Sequence, residues 1–453
     1  MILAKRKIMT VLSALLLALP LLAERRYELG DGLRLSLGGD VRLRWEIIDR
    51  NVPRPNVHDD GPDIQYLRVR SRVWASMEML DPHVKLNLRL ANRVHFTSSR
   101  PGDNENGAAH WEFPDEVVLD LANIELFDLL GENSCLRIGR QELGFAYGML
   151  LADGTPFDQG RTVYHDGISY RYTHEKHQAT LFTFYDSWKD HSVFINDRNR
   201  RLTIGDIFTA GVYYTYSCKP EFNLDLYYMY NDVNDDVDDL DTKRVMTYWP
   251  LDSNLSLHTV GARLFGQALP LLGYSVEMAK QGGYNALGED NQGYMFDARI
   301  TISAPKDTPM TPSLGLEYMF LSGDRNDTGK NEGWFPLMSS AALWGDDLLP
   351  IQYNGFWSNM HMASGEITLI PLEALKVKFG ATFYQADTSK STLATHDPAN
   401  DGDYIGMRLF AFVNYKVNDW LSLATELAHF DPGDYHHNGH SSVWARFQTV
   451  LTF

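Results

Sequence analysis

The chain closes with Val443-Trp444-Ala445-Arg446-Phe447-Gln448-Thr449-Val450-Leu451-Thr452-Phe453, and this stretch decides the fold. Val443, Ala445, Phe447, Thr449, Leu451 and Phe453 alternate with Trp444, Arg446, Gln448, Val450 and Thr452. Period two is the spacing of a β-strand, whose successive side chains leave opposite faces. One face is greasy and the other mixed, so the strand separates two environments. It also ends on an aromatic residue, where a terminal strand of a soluble sheet usually frays into polar ones.

The same pattern starts at Leu33. Leu33, Leu35, Leu37, Val41, Leu43, Trp45 and Ile47 fall on one face, with Arg34, Ser36, Asp40, Arg42, Arg44 and Glu46 on the other. Next come Leu67, Val69, Val73, Ala75, Met77 and Met79 against Arg68, Arg70, Arg72, Trp74 and Glu78. Asp81-Pro82-His83 turns that strand, and Val84, Leu86, Leu88 and Leu90 continue against Lys85, Asn87 and Arg89. Strands of about ten residues or more suit a tilted bilayer crossing better than the five or six residues of ordinary sheets. The pattern recurs in Phe208–Tyr230, Tyr294–Phe320 and Ile405–Leu423, giving about eighteen strands. Its phase is least defined in Val117–Phe127 and Ala179–Tyr185.

Short turns rich in Pro and Asp fall near 81, 129, 175, 220, 270, 307, 372 and 418. Between them run long polar loops near 49–63, 97–116, 144–161, 186–205, 231–254, 282–292, 322–355, 386–402 and 431–441. This alternation predicts an all-β chain: a transmembrane antiparallel β-barrel with short periplasmic turns and long extracellular loops, in a bacterial outer membrane. Barrels of that membrane characteristically close on a strand ending in Phe, as here. Residues 1–23 read as a signal peptide, with Lys5, Arg6 and Lys7 before an apolar run and Ala23 before the cut. Residues 24–453 then form one barrel domain. No later apolar run approaches the roughly twenty residues of a membrane helix.

Composition agrees. Aromatics make up 12% of the chain, yet mean hydropathy is only -0.30, as an aromatic-girdled barrel with a wet interior requires. A formal charge of -18 excludes nucleic acid as a partner. The two cysteines, Cys135 and Cys218, lie near the ends of strands three apart and are not expected to bridge.

On the faces assigned inward, basic residues outnumber acidic ones, with Arg42, Arg44, Arg68, Arg70, Arg72, Arg89, Arg137, Arg299, Arg408 and Arg446 among them. The surplus carboxylates then belong in the loops, as in the acidic run Asp232–Asp241. A guanidinium is always charged and its planar fork matches carboxylates and phosphates, so such a lumen prefers anions. The alternative is a general diffusion porin, whose arginines pair with Asp40, Glu46, Glu78, Glu317 and Glu366 and serve the wall.

Gly139-Arg140-Gln141-Glu142-Leu143, Gly160-Arg161-Thr162 and Asp166-Gly167 resemble a paired motif of the bacterial alginate-export porin family. Ser322-Gly323-Asp324, Trp334-Phe335-Pro336-Leu337 and Ala428-His429-Phe430-Asp431-Pro432-Gly433-Asp434 are similar to its later motifs. The resemblance runs from about Arg42 to Phe453. It implies an arginine-rich constriction passing an anionic uronate polysaccharide, with Arg140 and Arg161 in the pore and Asp166 fixing an arginine by a bidentate bond. Arg44, Arg70 and Arg72 join them on strand phase alone. Expected partners are an anionic saccharide or other small anionic solute, outer-membrane lipid and lipopolysaccharide, and periplasmic export proteins.

Neither catalysis nor a cofactor is expected. Ser322 with Asp324, and Ser192 beside His191, lack a nucleophile motif. His436, His437 and His440 read as a solvated loop tip rather than a metal site, and the acidic run lacks the spaced ligands of a calcium loop. Transport is expected to be passive. The 322–355 loop, with Trp334, Phe335 and Trp344 inside it and Phe356 beside it, is either a constriction in the mouth or part of an interfacial girdle.

Overall fold

The computed structural model describes residues 25–30, 32–49, 64–81, 83–97, 116–151, 164–195, 205–234, 255–284, 288–325, 328–336, 357–389, 402–435 and 440–453. All its regular elements among these are strands. The first seven are β1 (Arg25–Glu28), β2 (Leu33–Asp49), β3 (Ile64–Leu80), β4 (His83–Thr97), β5 (Glu116–Phe127), β6 (Ser134–Gln141) and β7 (His165–His174). They are followed by β8 (His177–Asp186), β9 (Val193–Ile195), β10 (Asp206–Lys219), β11 (Phe222–Asn234), β12 (Leu255–Leu269), β13 (Leu272–Tyr284) and β14 (Asp290–Asn291). The last seven are β15 (Tyr294–Ser303), β16 (Ser313–Leu321), β17 (Met360–Leu372), β18 (Leu375–Gln385), β19 (Tyr404–Lys416), β20 (Leu421–Pro432) and β21 (Ser442–Thr452).

Setting aside the short β1, β9 and β14, the remaining 18 strands form a closed antiparallel barrel. Neighbours in sequence pair in space, and the ring shuts where β21 meets β2, from Asp40 opposite Thr452 to Asp49 opposite Val443. Closure leaves no free strand edge to the hydrocarbon, where unpaired backbone groups are costly. Phe453 continues the seam: its N–H donates to Gly39 O at 2.9 Å and its carbonyl accepts from Gly39 N–H at 2.6 Å. A Cβ on Gly39 would lie 2.5 Å from the Phe453 ring and 2.8 Å from Arg72 O, so only glycine lets the terminal aromatic seat there. Below the C-terminus the edge of β2 is taken up by β1, with Arg25 opposite Leu37 and Glu28 opposite Arg34.

All eight predicted short turns join consecutive barrel strands, and the long loops fall at the opposite end. Outward residues are apolar and exposed to the lipid, among them Val73, Leu88, Leu181, Val260, Met278 and Leu409, with Trp45, Tyr185, Tyr318, Trp420 and Phe447 in the aromatic belts. Both ambiguous stretches have structural causes. In β5 the pairing with β4 slips between Arg89 and Leu90, so the phase changes at Asp120 within the strand. In β8 both faces are apolar, because Phe182 and Phe184 point inward and are buried while Leu181 and Tyr185 face out. They belong to an apolar cluster inside the extracellular half of the barrel. Cys135 and Cys218 are free, on β6 and β10.

Candidate functional site

Two walls of different character face the lumen. The first is built on β2, β3 and β21. Alternation places Asp40, Arg42, Arg44 and Glu46 inward on β2, all buried within the barrel. The register sets Arg42 opposite Arg70 and Arg44 opposite Arg68 on β3. Directly opposed cross-strand residues bring their Cβ atoms to about 5 Å, where like charges repel. Partial compensation comes from Asp40, which accepts Arg72 Nε at 2.7 Å and Arg70 Nη2 at 3.3 Å. Arg44 donates to Gln448 Oε1 through Nε at 2.9 Å and Nη2 at 2.7 Å, and its Nη1 lies 3.7 Å from Glu46. Glu46 also meets Arg446 Nε at 3.3 Å, while Arg446 Nη1 reaches Glu426 at 3.0 Å. Arg42, Arg44, Arg68, Arg70, Arg72 and Arg446 thus gather around Asp40, Glu46 and Glu426.

The facing wall, on β11 to β16, reverses the balance. Asp225, Arg263, Glu277 and Asp297 stand opposite one another in successive strands, and Arg299 stands opposite Glu317. Arg263 Nε donates to Asp225 at 2.8 Å, Tyr213 donates to Asp225 at 2.6 Å and Tyr227 to Glu277 at 2.8 Å. Arg299 spans Asp297 and Glu317, each at 2.8 Å.

Over this second wall lies the chain that follows β6. Its residues from Leu143 to Leu151 were expected to belong largely to a polar extracellular loop, but they fold into the barrel. Met149, Leu150 and Leu151 are buried in the internal apolar cluster, and Phe145 stacks parallel on Tyr213 at 4.1 Å between centroids. Gly148 N–H donates to Phe145 O at 2.9 Å, and left-handed Ala146 and Gly148 turn the chain around Tyr147. The sequence signal was present in the apolar run Met149-Leu150-Leu151, which a loop in water would not keep.

Trp334 and Phe335 likewise point inward and are buried. The inward reading of their loop is therefore the correct one for these two, and the girdle reading is not. Gln281 on β13 clamps them: Phe335 N–H donates to Gln281 Oε1 at 2.7 Å, and Gln281 Nε2 donates to Phe335 O at 2.8 Å. Trp344 and Phe356 lie outside the described residues. Tyr435, past the end of β20, is buried against this region, and burial pushes its phenol above the usual tyrosine range.

Of the six residues singled out, Arg44, Arg70 and Arg72 come together on the first wall. Arg140 and Asp166 form the expected bidentate pair, Nε to Oδ1 at 2.8 Å and Nη2 to Oδ2 at 2.7 Å. They stand elsewhere, however. Paired across β6 and β7, they share the phase of the outward Ile138 and Ile168 rather than that of Arg137 and Ser169. Arg140 Nη1 also donates to Leu119 O at 2.7 Å and to Asp190 at 3.1 Å, beneath the Tyr164 ring at 3.9 Å. This node braces the extracellular rim, where β9 pairs with β5 beyond the short β6. A motif carries no phase, whereas the pairing runs unbroken through Gly139 and keeps Arg140 in step with Leu136 and Ile138. Arg161 lies outside the described residues, as do His436 and His437. Ser322 donates its hydroxyl to Glu332 O at 2.7 Å and accepts from Tyr294 N–H at 2.8 Å, a loop-bracing role.

The alginate-export family model matches residues 33–449. The chain belongs to the alginate-export family. No curated protein matches it. Among solved structures it is similar to OccK1 (OpdK) of Pseudomonas aeruginosa, at 13% identity and a TM-score of 0.57, over 92% of this chain and 98% of that one. It is also similar to OccK2 (OpdF) of the same organism in complex with glucuronate, at 12% identity and a TM-score of 0.56, with the same coverage. At these identities the likeness establishes the shared fold. Family and fold together make this member an outer-membrane β-barrel porin, a class of non-enzymatic channels.

Proposed function

We propose that the channel passes small anionic solutes, above all acidic saccharides of the uronate type, by passive diffusion along the arginine wall of β2, β3 and β21. The observation that carries this reading is the pairing of Arg42 with Arg70 and of Arg44 with Arg68 across neighbouring strands. A wall selected for stability alone would set carboxylates opposite those arginines, because like charges at cross-strand distance are unfavourable. A solute carboxylate relieves the repulsion, and guanidiniums replace part of its hydration while binding stays weak enough for release. The glucuronate bound by OccK2 is consistent with such a solute. In this reading Arg70 and Arg72 meet the solute and Arg44, buried against Gln448 and Glu46, adds its charge from behind them, while Arg140 and Asp166 hold the rim, with Arg161 assigned to the mouth by family motif alone.

A general diffusion porin is the second reading, favoured by how fully Asp40 and Gln448 engage Arg72 and Arg44. Flux into proteoliposomes separates them. Glucuronate entering faster than glucose, and losing that advantage in Arg42→Gln/Arg70→Gln, is the expected result. Equal rates for the two sugars in the wild type would leave the general porin.

A further inference from the structure

We propose that Tyr147 is a specificity-determining residue, a stacking platform for the ring of a cyclic saccharide anion in transit. The proposal rests on the anionic-solute reading above and adds a second, opposed contact. Tyr147 is the one large apolar side chain of the inward-folded segment that is left open, 38% exposed, while Phe145, Met149, Leu150 and Leu151 are packed away. Two guanidiniums lie over its ring: the Arg299 guanidinium carbon is 3.7 Å from the centroid, and that of Arg263 5.7 Å. Arg299 is itself held by Asp297 and Glu317, so the ring rests on a fixed base. The backbone is equally fixed. Ala146 at φ 49° and Gly148 at φ 78° flank Tyr147 in left-handed conformations, and Phe145 stacked on Tyr213 anchors the turn. Left-handed backbone at a non-glycine residue is costly and persists where the surroundings impose it. A loop that needed only to fill space would bury its aromatic.

The chemistry of the surroundings selects the ligand. The exposed part of the Tyr147 ring offers stacking to the C–H face of a pyranose, beside the half-buried Glu317 carboxylate that Arg299 holds. Carboxylates predominate on this wall and repel a second acid group, whereas arginines predominate on the other. A uronate therefore crosses with its carboxylate towards Arg42, Arg44 and Arg70 and its ring against Tyr147.

The test compares glucuronate with gluconate, which carries the same single charge and a similar set of hydroxyls on an open chain. Each is titrated as a blocker of single-channel current in planar bilayers, for the wild type and for Tyr147→Phe and Tyr147→Leu. The wild type is expected to bind glucuronate more tightly than gluconate. Tyr147→Phe keeps that preference; Tyr147→Leu, similar in bulk but without the aromatic face, weakens glucuronate by about three- to tenfold and leaves gluconate unchanged. Equal weakening of both anions, or of neither, overturns the platform. Wild-type binding that does not distinguish ring from open chain overturns it too. Failure of the underlying reading shows separately, as a reversal potential without anion preference in all three proteins.

Discussion

Changing Gln281 to Leu isolates what holds the Trp334–Phe335 segment inside the barrel. The side chains are similar in size and the site is buried, so packing is retained while the amide is lost. Two hydrogen bonds to the Phe335 backbone disappear, of 2.7 and 2.8 Å. At about 1 kcal/mol each, plus the cost of desolvated backbone groups left poorer by one partner, the segment loses roughly 2–3 kcal/mol of local stability. The β-barrel itself does not depend on this contact, so the loss appears as local opening. Hydrogen exchange of a peptide spanning Asn331–Pro336 reads it directly, and exchange is expected to quicken by about 30- to 150-fold. Single-channel current should become noisier on the same segment's account. Unchanged exchange would refute the view that Gln281 pins the segment, and apolar burial of Trp334 would then be the holding force.

Three further outcomes are expected. Glu46→Gln leaves Arg44 and Arg446 beside a neutral partner in a buried site, so the barrel should unfold at lower denaturant, by about 3 kcal/mol, while anion preference rises. Arg140→Ala takes the guanidinium from Asp166 and from the buried Asp190, which keeps Tyr164 and Ser192, and should lower thermal stability by about 3 kcal/mol without moving the reversal potential, since the pair lies off the lumen phase. Gly39→Val drives a side chain into Phe453 and Arg72 O, so the fraction reaching the compact, heat-modifiable barrel on a gel should fall sharply.

Strand phase was legible wherever one face was clearly apolar, and β2, β3 and β21 follow the sequence reading residue by residue. That legibility placed Arg44, Arg70 and Arg72 on one wall without knowledge of neighbours, because alternation is a local property. Arg140 could not be placed in the same way. It was placed by a motif, which says nothing of which face it takes, although its parity with Leu136 and Ile138 is the outward one. The bulge at Asp120 hid the phase of β5, since a slipped register is decided by the partner strand. Tyr147 was missed because a loop was read by its polarity, and inward folding depends on surfaces such as Phe182, Tyr213 and Met229 that lie far away in sequence.

The central claim is that arginines of β2 and β3 set the preference for anions. The reversal potential of the refolded protein across a potassium chloride gradient, measured for the wild type and for Arg42→Gln/Arg70→Gln, tests it most directly. The account predicts a potential on the anion-selective side that moves towards zero in the double variant. A cation-selective or non-selective wild type, or a potential unmoved by the double change, would contradict it.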